Sequence, residues 1–580
     1  MKRLRKAAVA VGLATTPLLA ASGAPAVAPL APADLVFIGG AVYTQNAAQP
    51  WARAVAVRDG RYVAVGSDAS VRPLIGPDTR VIELQGQMLM PGLVDAHVHA
   101  VEGANEELYA CTFPASSAPE QIRAKLAACD RRSAPGEWIL GGSWDSDFFA
   151  HQNIGSPRQW LDAIVGDRPV VLRDDSHHNV WADSAALRAA GIGPDTPDPT
   201  GGRFVRESDG HQPNGIALEA AAELISAAVP PYSPEQLRRA VLHAQDVAHR
   251  FGLIGYKEAD SAEATIAAYH AVEQAGKLSL YVTNCISTLA QQRTPQTALD
   301  FDRIERIHAA YNGHLMSADC VKIYLDGVPT PARTAAMLDA YAPDAAGTVT
   351  RGLLHVDPRV LATDVTKLDR RGYTVKMHAA GDASVREGLD AIAAARQANP
   401  ASDRRHELAH AGFVAPTDIA RFAALNAVAD LSPVIWYPSP IIDAVTAAVG
   451  TERGSHYWPM RTLLDSRAPM TAGSDWPSVV PSMDPWGGIE AMVTRADPYA
   501  DGKATLWPEQ AISLADALRI YTLGGAAALR REHDTGSVEV GKSADCIILD
   551  RNLFRVPATA ISDVRVERTY FQGREVYRRQ

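Results

Sequence analysis

The chain has 580 residues, 47% of them hydrophobic and 21% charged, which is the composition of a packed globular protein and excludes a disordered or collagen-like chain. Its 56 Lys+Arg against 66 Asp+Glu give a formal charge of -10, so there is no basic excess to suit a nucleic-acid partner. Five cysteines over this length are too few for a dense disulfide framework.

In chain order, MKRLRK places four positive charges in the first six positions, and an Ala-rich apolar run continues to Ala21. Small residues follow at Ala26-Val27-Ala28. This pattern predicts a secretory signal peptide over residues 1–28. The apolar run is short and broken by Gly12 and Pro17, so no stable membrane anchor is predicted. Cleavage removes Lys2, Arg3, Arg5 and Lys6, taking the charge from -10 by four more units to -14. The predicted location is periplasmic or secreted. Cys111, Cys129, Cys285, Cys320 and Cys546 form no CxxC pair and read mostly as small buried hydrophobes, with at least one free thiol.

Short alternating runs separated by Gly and Asp turns predict strands over residues 33–90, and the same texture returns over 536–580. Two such half-sheets predict one split β-sandwich domain. Between them, apolar runs at 94–99, 252–260, 278–286, 320–327, 374–382, 405–412, 426–434 and 468–477 alternate with helical patterns. Eight such runs predict an α/β fold, a (β/α)8 TIM barrel, over 91–99 and 235–535. Residues 100–234 far exceed a normal connection and predict an inserted α+β domain capping the substrate site, with strands at Trp138–Trp144 and Pro169–Arg173 and helices at Pro119–Cys129 and Asn214–Ala228.

MPGLVDAHVHA at 90–100 carries His97 and His99 two apart, so on a strand both imidazoles face one side. At the carboxyl mouth of a barrel they converge where active sites form. Lys322, His378, His410 and Asp475 lie at or near the ends of later predicted strands. Imidazoles and a carboxylate suit zinc, with Ni, Mn and Fe as other occupants. Trp144, Trp436 and Trp476 are candidates for lining a substrate pocket, and Asp326 for binding substrate or capping a turn. His243 and His249 share no helical face and read as solvated. His406, four before His410, is a candidate support for the ligands.

Motifs in this order and spacing resemble the amidohydrolase superfamily, and within it the YtcJ-like amidohydrolase family 3. They are MPGLVDAHVH at 90–99, GGSWD at 141–145, HNVWADSAAL at 178–187, VKIYLDG at 321–327, MHAAGDA at 377–383, RHELAH at 405–410, GSDWP at 473–477, YTLGGAA at 521–527 and GSVEVGKSADCIILD at 536–550. The resemblance implies that His97 and His99 bind the more buried of two Zn²⁺ ions, that His378 and His410 bind the second, and that Lys322, carboxylated by CO2, bridges them. It implies Asp475 as both a metal ligand and the general base, and a hydroxide shared by metals about 3.5–4 Å apart. His178 is implied as a contact that polarises the substrate carbonyl. Asp183 stands where this family usually has Asn.

The implied reaction is cleavage of the C–N bond in a small-molecule N-acyl, N-formyl or aryl amide, and a homodimer is the assembly this fold often forms. The ligand pattern leaves the bond itself open, because an ester, lactone or phosphoester hydrolase would use the same binuclear site. A heterocycle deaminase commonly lacks a bridging lysine, so Lys322 weighs against one. Six intact ligand positions weigh against a non-catalytic binding protein.

Overall fold

A computed structural model describes residues 31–580 apart from 146–147, 175–178, 200–201, 289–294, 331–332, 344–346, 479 and 501–503. The predicted signal segment lies outside the described residues. Among the described residues no helix is long and apolar enough to cross a membrane.

The central sheet has eight parallel strands that neighbour one another in chain order: β1 (Leu93–Val98), β2 (Leu253–Ser261), β3 (Tyr281–Ile286), β4 (Met316–Tyr324), β5 (Thr374–Ala379), β6 (Glu407–His410), β7 (Val428–Leu431) and β8 (Met470–Ala472). The strands read as apolar runs because helices cover their outer face, and all six residues of β1 are buried. Backbone bonds from Asp475 N to His97 O (2.7 Å) and from His99 N to Trp476 O (2.8 Å) tie the segment after β8 to the end of β1. The result is a nearly closed (β/α)8 barrel. The helices between strands carry their own start signals. Pro234–Arg250, for example, opens with Pro at its first position and a reciprocal Ser233–Gln236 capping box.

Two further sheets lie outside the barrel. Leu35–Ile38, Ala54–Arg58, Arg61–Gly66 and Arg80–Glu83 form a four-stranded sheet. A six-stranded sheet joins the chain's two ends, with Met88–Pro91 antiparallel to Cys546–Leu549. Phe37, Val55 and Leu84 from the N-terminal part pack with Val538, Ile548 and Tyr570 from the C-terminal part.

Between β1 and β2 the chain builds another six-stranded sheet, with strands including Ile139–Trp144, Val170–Asp174, Asn179–Ala182 and Pro213–Glu219. The predicted helix at Asn214–Ala228 is corrected here, since 213–219 is a strand and only Ala220–Ser226 is helical. This strand pairs antiparallel with Asn179–Ala182 on one side and Gly202–Arg206 on the other. Gly215, at φ +100°, sits so close to that neighbour that a Cβ would meet Ala182 O at 2.4 Å.

The cysteines also differ from expectation. Cys111–Cys129 and Cys285–Cys320 are disulfides, leaving only Cys546 free. Cys285 and Cys320 lie opposite each other on the paired strands β3 and β4, a juxtaposition that their separation of 35 residues does not reveal. Cys546 is buried, and burial pushes its thiol up to about 12. Thiol titration of the non-reduced protein should therefore find no reactive thiol in the native state and one per chain after denaturation. More than one would dismiss a disulfide.

Candidate metal centre

The carboxyl ends of the barrel strands bring the sequence candidates to one place. His97 lies in β1 and His99 just beyond it, Lys322 lies in β4, His378 in β5, His410 ends β6, and Asp475 follows β8. His97, His99 and Asp475 each offer a ligand atom, and these atoms all lie within 4.8 Å of one another. Asp475 Oδ1 is 3.5 Å from His97 Nε2 and 3.4 Å from His99 Nε2. Lys322 Nζ is 3.4 Å from His97 Nε2. The His410 ring centre is 4.9 Å from that of His97 and 4.6 Å from that of His378.

Three of the four imidazoles are hydrogen-bonded through one ring nitrogen to a neighbouring group. His97 Nδ1 pairs with Asp430 Oδ2 at 2.8 Å, His410 Nδ1 with Ser432 Oγ at 3.2 Å, and His378 Nε2 with Gly327 O at 2.9 Å. The Asp430 carboxylate and the Gly327 carbonyl accept only, so they fix the tautomers of His97 and His378 and leave the other nitrogen as a lone-pair donor. Burial holds His97 well below the usual imidazole range, helped by Lys322 and Lys376, and brings His410 to about 3. These rings are therefore neutral near pH 7, the form a metal binds. Burial also lowers Lys322, with Lys376 adding to it, to about 8. The donor set fits divalent zinc.

Two of these candidates sit on strained backbone. His410 has φ +71° and Asp475 φ +58°, the left-handed region that non-glycine residues rarely adopt. The surroundings hold both. Trp458 Nε1 donates to His410 O at 3.0 Å, and Asp95 Oδ1 accepts from both His97 N (3.0 Å) and Ser474 N (3.1 Å). Gly473 is needed for this closure, because a Cβ there would meet His97 N at 2.3 Å.

Beneath the centre runs an ion chain absent from the sequence expectations. Lys257 Nζ pairs with Glu407 Oε1, Lys376 Nζ lies 2.8 Å from Glu407 Oε2 and 2.5 Å from Asp430 Oδ2, and Asp430 pairs with His97. All four charged side chains are almost fully buried. The available signal was charge inside otherwise apolar strand runs, as in Val375-Lys376-Met377 and Ala429-Asp430-Leu431.

Other candidates lie elsewhere. Trp144 is buried in the core of the inserted sheet against Trp181 and Phe149, with Nε1 donating to Leu172 O. Trp436 is fully buried beside Trp458 and under the Arg495 guanidinium. Neither lines the cavity at the barrel mouth, so the structure corrects the pocket role expected of both. Asp326 is buried and accepts from Ala336 N, Ala380 N, Gly381 N and Ser384 Oγ, which shapes the loop after His378 instead of reaching a substrate. Trp476 does line the cavity. His178 lies outside the described residues. His249 is buried against Ser279 O, contrary to its solvated reading, and His406 turns to Asp369. Asp183 caps the helix Ser184–Ala189.

The model of the amidohydrolase family matches residues 80–577. LONG AFTER FAR-RED 3 of Arabidopsis thaliana is 29% identical over 94% of this chain and 92% of its own. The N-substituted formamide deformylase of Arthrobacter pascens is 29% identical over 93% of this chain and 97% of its own. An uncharacterized metal-dependent hydrolase from Pyrococcus horikoshii superposes with a TM-score of 0.73 at 22% identity, covering 90% of this chain and 99% of that one.

Replacing Asp430 by Asn would leave Lys376 short of a counter-charge and His97 without its orienting carboxylate. Denaturant titration should then show a loss of about 3–5 kcal/mol. Competition with a chelator should show zinc affinity falling about 10–100-fold.

Proposed function

The chain belongs to the amidohydrolase family, and from that premise we propose that it hydrolyses the C–N bond of a small-molecule N-acyl, N-formyl or aryl amide. Two zinc ions would be held by His97, His99, Lys322, His378, His410 and Asp475. The observation that carries this reading is the meeting of His97, His99 and Asp475 at the barrel mouth, with Lys322 Nζ 3.4 Å from His97 Nε2. The relative named as a formamide deformylase supports the choice of bond.

Zinc, when bound, supplies Lewis acidity that brings the pKa of a water toward about 7. The chain's own residues supply the rest. Lys322 Nζ, unprotonated, forms a bond to the carbon of CO2 and releases a proton, leaving a carbamate whose two oxygens are anionic donors. Its burial favours the neutral amine that this step needs. Asp475 is held well below the usual carboxylate range, because the neighbouring imidazoles outweigh its burial. Its carboxylate accepts the proton of the attacking water and returns it to the leaving nitrogen. Asp430 keeps the proton of His97 on Nδ1.

We also infer export. The N-terminal pattern of residues 1–28 supports it, and so do two disulfides in one chain. The secreted protein should begin near residue 29, and an N-terminus still at Met1 would overturn cleavage.

Metal analysis of the zinc-loaded protein should give two zinc per chain. Asp475→Asn should lower amide turnover about 10²–10⁴-fold while metal is retained at one site or both. Lys322→Ala should lose metal and regain part of its activity with short carboxylic acids and added zinc. A zinc-replete protein that cleaves esters but no amide across a broad panel sinks the amidase reading.

A further inference from the structure

A cavity of about 820 Å³ opens beside the metal centre, between the barrel mouth and the inserted sheet. His99 and Trp476 form its floor. One wall is α1 (Ala100–Tyr109), which starts directly after His99. Among the described lining residues five carboxylates face one guanidinium, Arg173, which is exposed.

Two of the five are already engaged. Glu107 pairs with His243 at 2.7 Å, and Glu258 accepts from Tyr269 Oη at 2.7 Å. Glu102 and Glu106 are not held by an ion pair among the described residues. They lie four apart, on one face of α1. Burial raises Glu106 to about 7, the charge of Glu102 adding to it and the Arg173 guanidinium opposing it. Asp260, at the end of β2, accepts from Tyr324 Oη through Oδ2 at 3.2 Å, while its Oδ1 is buried without a hydrogen-bond partner.

An independent observation points the same way. Asn105 shares the α1 face with Glu102 and Glu106, is 6% exposed and lines the cavity, and its Oδ1 has no donor. A buried acceptor left unmatched costs free energy that a ligand's donor would recover. The oxygens left unmatched here are Asn105 Oδ1 and Asp260 Oδ1, beside the carboxyl groups of Glu102 and Glu106. A primary ammonium, with three donors and a positive charge, is the complementary group. The rest of the lining includes Leu140, Val171 and Tyr232, which suit an aliphatic chain.

We propose that this wall is a cation subsite, and that the substrate is an amide whose far end carries a primary ammonium seated among Glu102, Asn105, Glu106 and Asp260. The inference rests on the amide reading of the metal centre and narrows its substrate class. The helical rise of about 1.5 Å per residue puts Glu102 and Glu106 roughly 5 and 10 Å beyond His99. An aliphatic spacer of roughly six bonds covers that interval.

The test compares N-acetyl-1,5-diaminopentane with its uncharged counterpart N-pentylacetamide, each also as the formamide, on zinc-loaded protein. The readout is the ratio of kcat/KM, charged over uncharged, within each protein. The wild type should favour the charged amide about tenfold or more, and Glu102→Gln/Glu106→Gln should bring the ratio close to one. Glu102→Lys, at an exposed position, should invert the preference without disturbing packing. If both amides are hydrolysed at equal rates by the wild type, the subsite is refuted and the amidase reading stands. If neither is hydrolysed, the amidase reading loses its support and the same pair is titrated calorimetrically into the wild-type protein. Tighter binding of the charged member, lost in the double variant, then still supports the subsite, and equal binding or none overturns it.

Discussion

The ion chain Lys257–Glu407–Lys376–Asp430–His97 is the constraint on which the mouth of the barrel stands. Each of these charges has lost its water, and a single one left unpaired would cost several kcal/mol. They are tolerable only as alternating partners, and each partner comes from a different strand. The chain therefore locks β2, β5, β6, β7 and β1 in one mutual register. A one-residue slip of any of these strands would turn its charge outward toward the apolar helices. The last partner is a metal-ligand candidate, so the same contacts that fix the register also fix which nitrogen of His97 is presented.

The barrel and its ligand positions were legible because they depend on local pattern. Apolar runs of strand length marked all eight strands, and His97-Val98-His99 marked the active mouth. The ion chain was not legible, since Lys257, Lys376, Glu407 and Asp430 taken singly look like surface charges and acquire meaning only when the strands close. The disulfides were hidden for the same reason. Cys285 and Cys320 meet because parallel neighbours bring them opposite each other, which no spacing rule encodes. Trp144 and Trp436 drew attention as pocket aromatics by lying near strand ends, yet large aromatics fill cores as readily as they line clefts. The stretch at 214–219 resembled a helix because its strand is buried on both sides and does not alternate cleanly.

The cavity has one wall from the barrel and one from the insertion, and the two are joined by very little chain. α1 begins at the residue after His99, so a candidate metal ligand and the carboxyl groups of the proposed subsite belong to one continuous segment. Gly103 tightens this arrangement. A Cβ there would lie 2.5 Å from the Trp476 ring, so α1 is seated directly on the loop that carries Asp475. The candidate ligands and the proposed subsite thus share a foundation, while the inserted sheet supplies the opposite face.

The union of the two chain ends in one sheet has a consequence for biosynthesis. Met88–Pro91 runs straight into β1, but its antiparallel partner, Cys546–Leu549, is made about 450 residues later. The strand that leads into β1 therefore waits for this partner while the chain is still emerging. Contacts of such sequence separation form slowly and leave open edges in the meantime. Synthesis must therefore pass residue 549 before this sheet can close. A chain that stops before residue 546 would hold every candidate ligand position yet leave the edge of Met88–Pro91 unpaired, a target for proteolysis.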